Sequence, residues 1–119
     1  SLLKSLEKAL RYSNKKNKNI FNALPFAVMI YQNNSWQFIN KAAEKLLAYS
    51  ADDLLDSNNW SFIDSNYMKW LNREDKNEKR KFHNLKLIDK NGDEKLVDFY
   101  ASKINVEDKE MIILIAIRK

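Results

Sequence analysis

Apolar positions at the start of the chain recur at steps of three and four. Leu3, Leu6, Leu10, Ser13, Asn17, Ile20 and Leu24 trace one helical seam, apolar at its ends and polar in its middle. Neither Gly nor Pro interrupts residues 2–23, so a helix is expected there. Pro25 ends it, because proline disfavours helical geometry in the residue before it. The period then changes. Phe26-Ala27-Val28-Met29-Ile30-Tyr31 is a short apolar run rich in strand formers, and Trp36-Gln37-Phe38-Ile39 follows as a second strand. Asn33-Asn34-Ser35 between them reads as a turn, since Asn tolerates positive φ.

Helical spacing returns at Asn40, an expected N-cap, with Ala42, Ala43, Leu46 and Leu47 as the buried stripe. Ser50-Ala51-Asp52-Asp53 resembles a capping box and opens a helix of one or two turns that ends near Asp56. Large apolar residues then predict a further helix over residues 65–76. The last forty residues alternate as strands. Leu85 and Leu87 alternate with polar neighbours, as do Val97, Phe99 and Ala101. Asn91-Gly92 holds the only glycine and predicts a type I′ hairpin, with positive φ at both central residues. The run from Met111 to Ile117 is apolar on both faces, as a central strand requires. The order is helix, two strands, short helices, three strands. That order indicates an α+β domain, an antiparallel sheet with helices on one face.

Composition adds mainly exclusions. The chain has 119 residues, enough for one compact domain, and a 45% hydrophobic fraction that supports a packed core. Cysteine is absent, which removes disulfides, thiolate metal sites and thiol nucleophiles together. No apolar run is long enough to span a bilayer, and the first residues lack a signal-peptide core. These features fit a cytoplasmic domain, or the cytoplasmic part of a membrane-anchored protein. The net charge of +5 is spread along the chain. The densest basic run, residues 76–81, is diluted by Glu78, so a solvated face is expected and no nucleic acid.

Four stretches together resemble the Per-Arnt-Sim (PAS) family, and the resemblance covers residues 24–119. Leu24-Pro25-Phe26-Ala27-Val28 is similar to the family's opening strand. Asn33-Asn34-Ser35-Trp36-Gln37-Phe38-Ile39-Asn40-Lys41-Ala42-Ala43 is similar to its second strand running into the Asn that caps the first core helix. Leu46-Leu47-Ala48-Tyr49-Ser50-Ala51-Asp52-Asp53-Leu54-Leu55 and Lys90-Asn91-Gly92-Asp93-Glu94-Lys95-Leu96-Val97 resemble the next helical block and a later hairpin. Ala48 and Asp56 depart from the pattern, standing where the family often has Gly. Ala116-Ile117-Arg118 stands where many members carry Asp-Ile-Thr.

The resemblance implies a five-stranded antiparallel PAS-like sheet with short helices on one face and an N-terminal helical extension. It divides the chain into a coiled-coil-like arm, residues 1–23, and a sensor domain, residues 24–119. It implies a signal-input module of a larger signalling protein, of sensor kinase or diguanylate cyclase type, with a covalently linked output domain beyond this chain. A homodimer is expected through the arm residues Leu3, Leu6, Leu10 and Ile20. The alternative is a homodimerisation module with no ligand.

No catalytic or metal-binding group emerges. His83 is the only histidine, and the helix expected over residues 65–76 offers none as a haem ligand. A covalent flavin adduct needs a cysteine, so neither haem nor covalent flavin is expected, while non-covalent flavin stays open. Asp89-Lys90-Asn91-Gly92-Asp93 misplaces the glycine of a calcium loop. The carboxylate pairs Asp52-Asp53 and Glu107-Asp108 fall in a cap and a turn. What remains is a cavity for a small apolar or amphipathic ligand, or a filled core. Val28, Ile30, Phe38, Leu54, Trp60, Met68, Leu71, Leu85, Leu87, Val97 and Phe99 are assigned to it by alternation or helical spacing. Tyr67, Asn84 and Ser102 are candidate polar anchors.

Overall fold

The structure is a computed structural model, and it describes residues 21–63, 79–106 and 108–119. The arm positions Leu3, Leu6, Leu10 and Ile20 lie outside the described residues, as does the expected helix over 65–76 with Tyr67, Met68 and Leu71. Among the described residues the elements run in the order β1 (Ala27–Gln32), β2 (Ser35–Ile39), α1 (Lys41–Leu47), α2 (Ala51–Leu54), β3 (Lys79–Ile88), β4 (Glu94–Val106) and β5 (Lys109–Arg118). The strands form one antiparallel sheet in the order β2-β1-β5-β4-β3. The doubly apolar β5 takes the central place that its composition requires.

Local chemistry accounts for the punctuation. Asn40 caps α1, and Ser50 and Asp53 form the reciprocal capping box of α2. Asn33 and Asn34, at φ 57° and 61°, make the two-residue link between Gln32 and Ser35. Both central residues are left-handed, so this is where the positive-φ hairpin pair lies. The Asn91-Gly92 hairpin differs from expectation, because only Gly92 has positive φ (87°). The Asp89 side chain organises that loop. Its Oδ1 accepts from the amides of Asn91 and Asp93, both at 2.9 Å, and the Gly92 amide donates to the Asp89 carbonyl at 3.0 Å. Ala48 and Asp56 are also left-handed, at φ 58° and 62°. The two positions where the resembling family often has Gly are therefore positions that demand glycine-like geometry.

The sheet buries both faces. Ala27, Met29, Trp36, Leu85, Leu87, Val97, Phe99, Ala101, Ile112, Leu114 and Ala116 form the inner layer with α1, α2 and Phe62. Val28, Ile104, Ile113 and Ile115 form a second cluster with Phe21, on the outer face. The connection after α2 is tied to both sheet edges. Leu55 bridges Trp36 on β2, and Ile63 bridges Leu87 on β3. The Trp36 amide donates to Ser57 O (2.9 Å) and the Ile88 amide to Phe62 O (2.9 Å).

Candidate functional site

The inner face of the sheet packs against α1, α2 and Phe62, and its two ends are built differently. At one end four rings pack together. Trp36 is fully buried, with ring centroids 5.1 Å from Tyr31, 4.5 Å from Trp60 and 5.6 Å from Phe62. The polar edges of these rings are satisfied by the connection itself. Trp36 Nε1 donates to Asn59 O at 2.8 Å, and Asn58 Oδ1 accepts from Tyr31 Oη (2.6 Å) and Trp60 Nε1 (3.2 Å). Buried indoles and phenols need such partners.

At the other end α1 lies across small residues, and polar side chains pin it. Asn40 is fully buried and uses both ends of its amide. Its Oδ1 accepts from the amides of Val28 (2.9 Å) and Ala43 (3.0 Å), while Nδ2 donates to the carbonyls of Phe21 and Phe26, each at 2.9 Å. One side chain thus joins the chain before β1, β1 itself and the start of α1. The far end of α1 is held by Lys95. Its Nζ donates to Leu46 O at 2.5 Å and pairs with Asp89 Oδ2 at 3.2 Å. A cation on the last carbonyls of a helix opposes the negative end of its dipole.

Charge elsewhere is structural. Burial works against ionisation of Asp89, but the Asp93 amide, the Lys95 ammonium and the Asn91 amide outweigh it and hold its carboxyl below the usual range. Asp98 is likewise lowered: burial opposes its charge, and the Asn84 amide, Lys119 and His83 prevail. Asp53 is lowered by its hydrogen bonds to Lys90 and Ser50. His83 is 63% exposed, 3.6 Å from Asp98, at a bulge in β3 where Asn84 turns left-handed (φ 55°). Among the described residues no three His, Asp or Glu side chains cluster as metal ligands would.

Of the eleven residues assigned to a cavity, Leu54, Leu85, Leu87, Val97 and Phe99 come together in the inner layer, with Trp60 packed against it. Val28 and Phe38 do not: both belong to the outer cluster. Ile30 pairs with Phe38 and Ile113 and shares their face. For Val28 and Ile30 the reason is that four successive residues of β1 are buried, so polarity shows no alternation to set the face; for Phe38 it is a bulge. Ile30 faces Phe38 and Tyr31 faces Trp36, so Gln37 is an extra residue that turns Trp36 inward and leaves Phe38 outward. Of the polar anchors, Asn84 is exposed, and Ser102, paired with Ile113, lies on the outer face. Sequence reasoning missed Trp36, Phe62 and Met29 as inner residues. The inner layer among the described residues holds an apolar cavity of only about 10 Å³, between Met29, Leu46, Phe62, Leu87 and Phe99.

No protein-family model and none of the curated proteins matches the sequence. Solved structures do. The PAS domain of an HTR-like protein from Haloarcula marismortui matches with a TM-score of 0.74 at 19% identity, over 98% of this chain and 99% of that one. A PAS domain from a two-component sensor histidine kinase matches with a TM-score of 0.70 at 20% identity, over 94% and 99%. A LOV protein from Rhodobacter sphaeroides matches with a TM-score of 0.71 at 8% identity, over 92% and 67%. The chain has the PAS fold.

Proposed function

We propose that this chain is a non-catalytic signal-input module of a larger cytoplasmic signalling protein, linked to an output such as a histidine kinase or a diguanylate cyclase. The observation that carries the reading is the likeness in fold, over nearly the whole of both chains, to the PAS domain of a sensor histidine kinase. The built features agree with a relay. Asn40 ties the entering chain to β1 and α1, so a shift of the inner layer reaches the residues ahead of Pro25 through hydrogen bonds. The arm positions Leu3, Leu6, Leu10 and Ile20 then carry it to a second copy as dimer contacts. A flavin–cysteine adduct has no sulfur nucleophile in this chain.

The input is a small ligand or a partner that alters the inner layer. Native mass spectrometry of the purified chain tests this by detecting a co-purified small molecule. Leu85→Trp is the companion test. In a cavity the indole is accommodated and ligand uptake is lost; in a filled core it costs about 1–3 kcal/mol by overpacking. A second reading, a homodimerisation module without ligand, is supported by the close packing of the inner layer among the described residues, where the cavity is about 10 Å³. Sedimentation of residues 21–119 against the full chain tests the dimer arm, and an unchanged monomer–dimer equilibrium removes it.

A further inference from the structure

The corner where α1 crosses the start of β1 and the end of β5 contains an open groove of about 190 Å³. Its floor is Ala27 and Ala116, which face each other directly in the β1–β5 register. Ala42 and Leu46, four residues apart on α1, form one wall, and Pro25 and Phe26 form the rim. The space exists because three of these side chains are single methyl groups. Lys45 and Arg118 also line it, and both are exposed. Among the described residues neither has a carboxylate partner, whereas Lys86, Lys90, Lys95 and Lys119 each have one.

We propose that this groove binds a short-chain aliphatic carboxylate, its head held by Arg118 and Lys45 and its tail lying on Ala27, Ala42, Leu46 and Ala116. The proposal rests on the signal-input reading and gives that input a chemical class. An unpaired guanidinium above an apolar floor suits a carboxylate, which it grips through two parallel N–H donors. The carbonyls that end α1 would repel such a head, but Lys95 already covers those of Lys45 and Leu46. The groove is smaller than the sites that hold drug-sized ligands, which limits the tail to a few carbons. Ala27, Leu46 and Ala116 wall the inner cavity as well as the groove. The Leu46 side chain is therefore the partition between a tail in the groove and the inner layer, and a tail pressing on it moves the core.

Methyl NMR of the full chain, titrated with hexanoate, tests the proposal. Saturable shifts at Ala27, Ala42, Leu46 and Ala116, with a Kd of about 1 mM or tighter, are expected. Hexan-1-ol and Arg118→Gln should each weaken binding by about tenfold, the loss of one charged hydrogen bond. Lys45→Gln should weaken it less, while the melting temperature of both variants is kept. Absence of saturation by about 10 mM hexanoate, or equal affinity in the Lys45→Gln/Arg118→Gln double variant, overturns the site. Saturable shifts confined to Leu85, Leu87 and Val97 also overturn it, and they leave the signal-input reading standing. Binding of an acidic peptide in the groove in place of hexanoate makes it a protein-docking surface and refutes the small-carboxylate assignment.

Discussion

The two ends of the inner layer solve the same problem with opposite materials. The Trp36 end is filled by four rings whose centroids lie 4.5–6.3 Å apart. The α1 end is floored by alanines and held by Asn40 and Lys95 through hydrogen bonds of 2.5–3.0 Å to backbone groups. Rings fill the volume between them, and their stabilisation scales with buried area. Directed hydrogen bonds fix position without filling volume. The difference teaches that one layer can be anchored by filled volume at one end and by directed bonds at the other, while open grooves border both, one of about 190 Å³ beside α1 and one of about 250 Å³ between Tyr31 and the Asn33-Asn34 turn.

Trp36→Ala breaks the comparison most severely if it is wrong. Removal of a fully buried indole should cost about 3–5 kcal/mol, read as a lowered denaturant midpoint at unchanged slope; a loss below about 1 kcal/mol would mean that the ring cluster is not the anchor. Asn40→Ala should follow at about 2–4 kcal/mol, because it removes a helix cap and strands the buried Val28 amide. Asn40→Asp should recover little, since a carboxylate cannot donate to the carbonyls of Phe21 and Phe26. Equal stability of the parent and the Asn40→Asp variant would show that the donor half of the amide is idle.

Backbone effects come next. Gly92→Val should cost about 1–3 kcal/mol from the left-handed φ alone, as no atom lies within 4 Å of the position a Cβ would take. Gly92→Asn should regain most of that. Ala48→Gly has the opposite sign, a gain of about 0.5–1 kcal/mol, because Ala48 is left-handed at the C-cap of α1. An unchanged melting temperature would argue against strain at that cap.

The smallest effect is a pH signature of the pinned end. Asp89 is lowered in the folded state, so its contribution is complete above the ordinary Asp pKa of about 4 and is lost as pH falls through the lowered value. Lys95→Met should therefore separate from the parent most at neutral pH, and the two stability curves should converge in acid. Parallel curves down to the acid transition would detach Lys95 from Asp89.

Strand identities are legible in the sequence because turn chemistry is local. Asn33-Asn34, Ser50-Asp53 and the cap that Asn40 places on Ala43 each act within four residues of themselves, and each does what its side chain predicts. The facing of β1 is not legible. Ala27, Val28, Met29 and Ile30 are all buried, at 4%, 0%, 4% and 4% exposure, so polarity carries no alternation to read. The bulge at Gln37 is equally silent, being visible only in the pairing with β1. The candidate site suffers most from this, because parity alone places Val28, Ile30 and Phe38. The Lys95 contact with Leu46 joins residues 49 apart, beyond the reach of any local pattern.

The connection from Leu55 to Ile63 acts as a clasp between the two edges of the sheet. It is fastened at Trp36 on one edge and at Leu87 on the other. Five strands laid flat would span about 19 Å, and nine residues reach at most about 30 Å, so the connection crosses the face with length to spare, part of it taken up by the turn that closes between Trp60 and Ile63. Its hold is therefore local and unequal. Trp36 is gripped on both sides, its amide donating to Ser57 and its carbonyl accepting from Asp56, whereas Ile88 is held by one bond, its amide donating to Phe62. Hydrogen exchange at the amides of Trp36 and Ile88 gauges each catch of the clasp separately.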